Sequence, residues 1–408
     1  MTKPVVIVGA SMAGLRVAEA LRRFGYSGPI TAIGDEPHAP YNRPPLSKEV
    51  LAGETVSHET VAFPQRAATA DVGWVLGNRA VSADLEHQTV TTADSSVFEY
   101  STLIAATGLR PKRQHYPNNL QAGRHVIRTL DDAIGLRAAL GPGVRVVVLG
   151  AGFIGCETAA TARKLGAEVT IVAPGALPIN RILGAELAAE VMRRQQAEGV
   201  EFRMKRSVAD LIGEARIEGV LLDDGSELPC DVFIEAIGSH CNTEWLDGND
   251  VEITDGVLTD SNLRAVKASG GAWDNVFAIG DVAKFPNPLF DDLARRVEHW
   301  NIPTESGKYV GQLVALQHAV AAGTDGAADQ LSAHLAAGFR PVPSFWSDQF
   351  DVHLLAFGLL AIADEAKLVQ GELSGDCVFE YYRGGKLVGA AGIGMRSVVQ
   401  GYRNAFAS

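Results

Sequence analysis

Apolar residues along this chain gather in short runs that end on small residues, and several of these runs are followed by stretches in which apolar positions recur every three to four residues. Residues 4–8 (Pro-Val-Val-Ile-Val) predict a buried strand, and Leu15, Ala18 and Leu21 then share one face of a helix. A second strand at about 29–33 ends on Gly34-Asp35-Glu36. The same order returns further on: Val144 to Leu149 predicts a buried strand, Phe153–Leu165 a helix and 168–172 another strand. Three more apolar runs close on small residues, at Leu103 to Gly108, Val232 to Gly238 and Phe277 to Gly280, the last followed at once by Asp281. Strands are expected near 345–355, 376–383 and 386–391. The final residues read as strand-like with a short polar tail, and the small and polar stretch 322–340 has no assigned function. Strand and helix in alternation predict the α/β class with parallel sheets.

Each of the two strand–helix pairs is joined by a turn of small residues: Gly9, Ser11 and Gly14 in the first, Gly150, Gly152 and Gly155 in the second. The spacing is that of a dinucleotide fingerprint, in which the first position makes the tight turn, the second lets backbone approach a pyrophosphate and the third lets helix pack on strand. Asp35 follows Gly14 at about the twenty-residue spacing of the acid that binds ribose hydroxyls. Ser11 replaces the middle glycine and is small enough for the role. Two such turns in one chain point to two dinucleotides, and the pair that exchanges a hydride is a flavin and a nicotinamide.

Composition narrows the picture. A length of 408 residues is room for two to four domains. The 48 acidic against 36 basic residues leave a net charge of −12, which argues against nucleic acid or an anionic membrane as the main partner. The four cysteines, Cys156, Cys230, Cys241 and Cys377, show no C-x-x-C spacing, and the histidines form no H-x-x-x-H pair, so no disulfide scaffold and no metal site is expected. No apolar run is long enough for a membrane span, and no targeting segment is read at the start. A cytoplasmic protein is expected.

Pro40-Tyr41-Asn42-Arg43-Pro44-Pro45-Leu46-Ser47-Lys48, Ala106-Thr107-Gly108, Ile127-Arg128-Thr129, Gly280-Asp281, Val297-Glu298-His299-Trp300 and Phe345-Trp346-Ser347-Asp348-Gln349-Phe350, together with the two glycine turns, resemble the flavoprotein ferredoxin reductases of bacterial oxygenase systems. The proline-rich and Trp-Ser-Asp-Gln segments are the specific ones, since disulfide reductases of the same fold lack them. The resemblance implies a glutathione-reductase-type fold: two Rossmann-like dinucleotide-binding domains plus a small C-terminal α+β interface domain. It implies a discontinuous FAD domain, 1–112 and 243–325, an NAD(P) domain, 113–242, and the interface domain, 326–408. It further implies an enzyme that passes a hydride from NAD(P)H to FAD and then single electrons to a [2Fe–2S] ferredoxin serving a haem monooxygenase or dioxygenase, as a monomer or weak dimer. Rubredoxin reductase, type II NADH:quinone reductase and a flavin-bearing signalling protein are the alternatives.

Site residues follow from the same match. Gly9, Ser11, Ala13 and Gly14 are expected at the FAD pyrophosphate, Asp35 or Glu36 at the ribose, and Arg43, Val81, Thr107, Gly108, Arg128, Gly280, Asp281 and Trp300 as further FAD contacts. Gly150, Gly152, Gly155 and Gly238 are expected at the nicotinamide dinucleotide. Lys48 is the expected cation near the reactive flavin edge, and Glu157 its partner beside the nicotinamide. Cysteine is absent from residues 36–56, where disulfide reductases keep their redox thiols, so electrons must leave from flavin to an external carrier. After the strand at 168–172 stands Ala173-Pro174-Gly175, with neither an acid for NADH nor an arginine for NADPH. The family favours NADH, with NADPH open. Arg110-Lys112-Arg113, Arg295-Arg296, Arg383 and Lys386 are candidate docking charges for an acidic ferredoxin.

Overall fold

Val5–Val8 is apolar at all four positions and buried at all four, because the strand has a parallel neighbour on each side and helices over the sheet. It lies in a computed structural model that describes residues 3–53, 57–64 and 66–407. The chain forms two units, the first made of Met1–Asn42, Ala62–Leu109 and Cys241–Pro343, the second of Arg43–Val61, Arg110–His240 and Ser344–Ser408.

In the first unit a six-stranded sheet runs in the order Arg264–Val266, Ala272–Ala278, Thr102–Ala105, Val5–Val8, Ile30–Ile33, Gly73–Val75. All its pairings are parallel except the outermost, between Arg264–Val266 and Ala272–Ala278. Val5 pairs with Ile30 on one side and Thr102 on the other, so the three strands end level and their following turns share one edge. In open α/β sheets ligands bind at such a carboxyl edge. Helix Met12–Arg23 packs on helix Asn301–Ala321.

The second unit repeats the design with a five-stranded parallel sheet, Val200–Met204, Glu168–Ala173, Arg145–Leu149, Val232–Glu235, Arg124–His125. The same unit contains a five-stranded antiparallel sheet built from the end of the chain, in the order Ser344–Gln349, Val352–Gly358, Lys386–Ile393, Cys377–Arg383, Glu365–Gly371.

One stretch left without a reading and one read as strand-like are helical. Within 322–340 the residues Ala327–Ala337 form a helix, entered from Gly326 and left through Gly338, both at positive φ. The tail Arg396–Ala407 is also helical and packs on the last sheet with Val399 fully buried. Val398, Val399, Tyr402 and Phe406 recur at helical spacing, a signal that the strand-like reading of the preceding glycine-rich run overlooked, and the sheet that receives the helix lies up to fifty residues earlier. None of the described helices is long and apolar enough to cross a membrane. Among the described residues, no cluster of three His, Cys, Asp or Glu side chains could hold a metal.

Candidate functional site

The first turn is shaped by close contacts within the protein. Gly9 has φ +124°, and a Cβ there would stand 2.1 Å from the carbonyl oxygen of Ala106; a Cβ on Gly14 would stand 2.1 Å from that of Gly9. Both are therefore compelled to be glycine. Ser11 precedes the helix Met12–Arg23, which begins at the sheet's carboxyl edge, and the first amides of a helix have no partner within it. Around this edge stand Gly280, whose amide donates to Ser306 Oγ at 3.0 Å, with Ala13 packed against it, and Asp281 in the same turn. Thr107 and Asn242 exchange hydrogen bonds, Thr107 Oγ1 to the Asn242 carbonyl at 2.6 Å and Asn242 Nδ2 to the Thr107 carbonyl at 3.0 Å, which fixes the turn before Gly108. Asp35 is exposed just past its strand, and Glu36 is half-buried, accepting from Tyr41 Oη at 2.5 Å. Trp300 donates through Nε1 to Asn42 Oδ1 at 3.1 Å. Val81 stands on a separate three-stranded sheet of this unit and is exposed.

The second turn repeats the contacts. Gly150 has φ +108° with its would-be Cβ 2.3 Å from the Ala236 carbonyl, and a Cβ on Gly155 would stand 2.1 Å from the Gly150 carbonyl. Gly152 is different: its φ is −80° and no atom lies within 4 Å of where a Cβ would project. Packing does not require glycine there. The open space leaves room for a ligand to pass close to the backbone, so the turn is compatible with a dinucleotide. The Gly238 carbonyl accepts from the Lys112 amide at 2.9 Å. Beyond the strand Glu168–Ala173 no acid appears; the Arg206 amide reaches the Ala173 carbonyl, and the Arg206 guanidinium is paired with Asp224 at 2.6 Å.

Lys48 and Glu157, 109 positions apart in sequence, meet in this unit. Lys48 Nζ lies 2.7 Å from Glu157 Oε2, with the two side chains 10% and 3% exposed. Lys48 also donates to the Pro44 carbonyl at 3.2 Å. Sequence reasoning missed two hydroxyls on the same carboxylate: Ser47 Oγ donates to Oε2 at 2.7 Å and Ser347 Oγ to Oε1 at 2.6 Å. The backbone of Ser47 is held in turn by Thr161 Oγ1 at 2.8 Å. Arg43 donates to the Arg128 carbonyl at 2.8 Å, and Arg128 leads into the helix Leu130–Ala139, whose start is closed by a capping box between Thr129 and Asp132.

None of the four cysteines, all of them among the described residues, is in a disulfide. Burial pushes the Cys156 and Cys230 thiols up to about 12, so neither supplies a thiolate at neutral pH. Of the candidate docking charges, Arg295 is paired with Asp291 and Arg296 with Asp255 at 2.9 Å and Glu298 at 2.6 Å. That pair of arginines carries no net positive charge outward. Arg113 reaches Glu235 at 3.8 Å.

Residues 3–307 match the model of the pyridine nucleotide-disulphide oxidoreductases, and residues 344–408 that of a reductase C-terminal domain. The chain is 34% identical over 397 residues to the ferredoxin–NAD(+) reductase component of the anthranilate 1,2-dioxygenase system of Burkholderia cepacia, covering 96% of this chain and 91% of that one. Its fold is similar to that of the ferredoxin reductase for the CYP199A2 system from Rhodopseudomonas palustris, with a TM-score of 0.85 and 30% identity over 96% of this chain and 91% of that one. It is equally similar to a covalent putidaredoxin reductase–putidaredoxin complex, with a TM-score of 0.85 and 27% identity over 99% and 93% of the two chains.

Proposed function

The chain belongs to the pyridine nucleotide-disulphide oxidoreductase family and is an FAD-dependent oxidoreductase of the ferredoxin-reductase type, and from that premise we propose that it oxidises NADH and reduces a [2Fe–2S] ferredoxin that feeds an oxygenase. The observation that carries this reading is the pairing of two dinucleotide turns with the absence of cysteine from residues 36–56, where disulfide reductases keep their reactive pair; the Cys156 and Cys230 thiols lie elsewhere and are buried. Without thiols, the electrons need a carrier from outside the chain. The ferredoxin is suggested by the names of the relatives, among them a reductase held to putidaredoxin.

Bound FAD would accept the hydride of the nicotinamide and release its electrons one at a time. The residues of this chain hold and orient. Gly9, Ser11, Ala13 and Gly14 offer backbone to the FAD pyrophosphate; Asp35 or Glu36 binds the ribose hydroxyls; Thr107, Gly108, Gly280, Asp281, Val81 and Trp300 complete the contacts in the first unit. Arg43 and Arg128 add cations to the same cofactor. Gly150, Gly152, Gly155 and Gly238 receive the nicotinamide dinucleotide. Lys48 and Glu157 place an ion pair beside the reacting rings, where a cation stabilises negative charge that develops on hydride transfer. The chain is organised as an FAD domain in two pieces, 1–112 and 243–325, an NAD(P) domain, 113–242, and an interface domain, 326–408.

NADH is the preferred donor in this reading, because the relatives are named ferredoxin–NAD(+) reductases; Arg206, beside the strand end, is paired with Asp224. The ratio of kcat/KM for the two nicotinamides tests it, and a tenfold preference for NADPH overturns it. Cytochrome c reduction with and without an added [2Fe–2S] ferredoxin tests the acceptor: strong dependence on ferredoxin is expected, and equal rates without it defeat the proposal. Stopped-flow flavin reduction tests Lys48. A Lys48→Met enzyme is expected to reduce its flavin at least tenfold more slowly, and a rate within twofold of wild type removes the ion pair from the mechanism.

A further inference from the structure

Glu157 ends a line of buried polar side chains that runs through the second unit. Ser347 Oγ, the donor to Glu157 Oε1, accepts from Gln349 Nε2 at 2.9 Å, and Gln349 Oε1 accepts from Gln195 Nε2 at 2.6 Å. Ser47, Glu157, Gln195, Ser347 and Gln349 are all 3% exposed or less. Residues that are mutually remote in sequence thus meet: Ser47 from the proline-rich segment, Glu157 and Gln195 from two helices of the nucleotide fold, Ser347 and Gln349 from the first strand of the C-terminal sheet.

The direction of the line is set at Glu157. A carboxylate paired with Lys48 only accepts, so Ser347 donates its single proton to it and must receive from Gln349. Gln349 therefore turns its carbonyl to Gln195, which answers with its amide. The end of the line shows the cost. Gln195 Oε1 is buried with no hydrogen-bond partner among the described residues, and turning the amide over would bring that oxygen against the Cys156 carbonyl, 3.4 Å from Nε2. A buried acceptor without a partner costs about 1–3 kcal/mol. Apolar side chains of the same size would pack this region without that cost, and for packing alone they would serve better.

We propose that Ser347 and Gln349 are positioning residues for hydride transfer: the one-way line from Gln195 fixes the Glu157 carboxylate, the carboxylate fixes the Lys48 ammonium, and the C-terminal domain thereby governs the nicotinamide half-reaction. The proposal rests on the reading that the Lys48–Glu157 pair serves that step. Aligned hydrogen bonds polarise one another, so loss of one link is felt at the carboxylate beyond its own contact. A wholly structural role for the line would instead slow the enzyme whether or not Lys48 is present.

The experiment is a double-mutant cycle on the rate of flavin reduction by NADH, using the holoenzyme, with Ser347→Ala in the wild-type and Lys48→Met backgrounds. A loss of about tenfold is expected in the wild-type background and less than twofold in the Lys48→Met background. Equal losses in both backgrounds overturn the proposal, as does a Ser347→Ala rate within twofold of wild type while Lys48→Met is slow; that second result leaves the Lys48 reading standing. If Lys48→Met itself is not slow, the reading and the proposal fall together. Gln349→Met provides the same cycle one link further out, with a smaller loss of the same pattern expected, and decides the matter if Ser347→Ala does not fold. Infrared difference spectra, with the Glu157 carboxylate band assigned through Glu157→Gln, give a readout apart from turnover. The band is expected to move in Ser347→Ala, and an unmoved band overturns the proposal.

Discussion

Glycines that look alike in the second turn serve different ends, and substitution separates them. Gly155→Ala drives a Cβ to within 2.1 Å of the Gly150 carbonyl, so the helix must shift off its strand; a loss of stability of about 2 kcal/mol or more is expected in urea unfolding. Gly152→Ala meets nothing within 4 Å, so stability should stay within about 0.5 kcal/mol of wild type while the Kd for NADH rises about tenfold. Equal stability losses in the two variants would show that the open space at Gly152 does not mark the ligand. Sequence spacing revealed both glycines but not this division, because only the fold shows what a Cβ would strike. The ion pair was legible for a related reason: Lys48 and Glu157 each sit inside a recognisable motif. Ser47, Ser347, Gln349 and Gln195 were not singled out, because a buried serine or glutamine looks like a surface one until its neighbours are known. One signal did exist. In Phe345-Trp346-Ser347-Asp348-Gln349 the buried positions alternate, Phe345, Ser347 and Gln349, which puts two polar residues on the inward face of a strand.

Elements were most readable where one pattern persisted. The helix expected at Phe153–Leu165 is found at Phe153–Lys164, and the strand expected at about 29–33 is found at Ile30–Ile33. Short antiparallel sheets, such as Val208–Ile212 with Gly219–Leu222 and Glu227–Pro229, escaped notice because three to five residues with one face wet carry little periodicity. Helix Leu130–Ala139 has a nearly even spread of apolar and polar residues and owes its start to its cap. The Asp132 amide donates to Thr129 Oγ1 at 3.1 Å, and Asp132 Oδ2 accepts from the amides of Thr129 at 2.8 Å and Arg128 at 3.1 Å. Thr129→Ala is expected to lower stability by about 1 kcal/mol, read as a lower urea midpoint at unchanged slope. Since Asp132 also holds the Arg128 amide, the same variant should loosen that segment, and faster hydrogen exchange at residue 128 is the local measure of it.

Over the whole molecule the histidines set an acid limit. Burial holds His299 down to about 4, and burial likewise lowers His125, His318 and His334 from the ordinary value. In the unfolded chain these rings take up protons near pH 6.5, which the native protein refuses, so native stability is full above about 6.5 and falls as the pH drops toward 4. The Tm should therefore decrease by several degrees from pH 7.5 to 5, before the depressed carboxylates begin to titrate; a level or rising Tm over that range contradicts the assignment. Charge acts at this scale too. With a net charge of −12 and the Arg295–Arg296 pair neutralised by its own acids, Lys112 is the docking cation to test for an acidic partner. The reversal Lys112→Glu is expected to slow ferredoxin reduction at low salt and leave flavin reduction by NADH unchanged, and a ferredoxin rate indifferent to salt would dismiss steering altogether.

The interleaving of the two units also orders events on the ribosome. Every strand of the second parallel sheet, from Arg124 to Glu235, has emerged before Ala272–Ala278 is made, yet that late strand is the neighbour that Thr102–Ala105 needs in the first sheet. During the intervening synthesis Thr102–Ala105, apolar in its last three positions, stands as an open edge beside Val5–Val8. At about 5–20 residues per second that exposure lasts on the order of ten seconds or more. Newly made chains are thus most vulnerable to edge-to-edge association while the later sheet is already complete, and nascent chains stalled near residue 250 should recruit a holdase chaperone more strongly than chains released beyond residue 343.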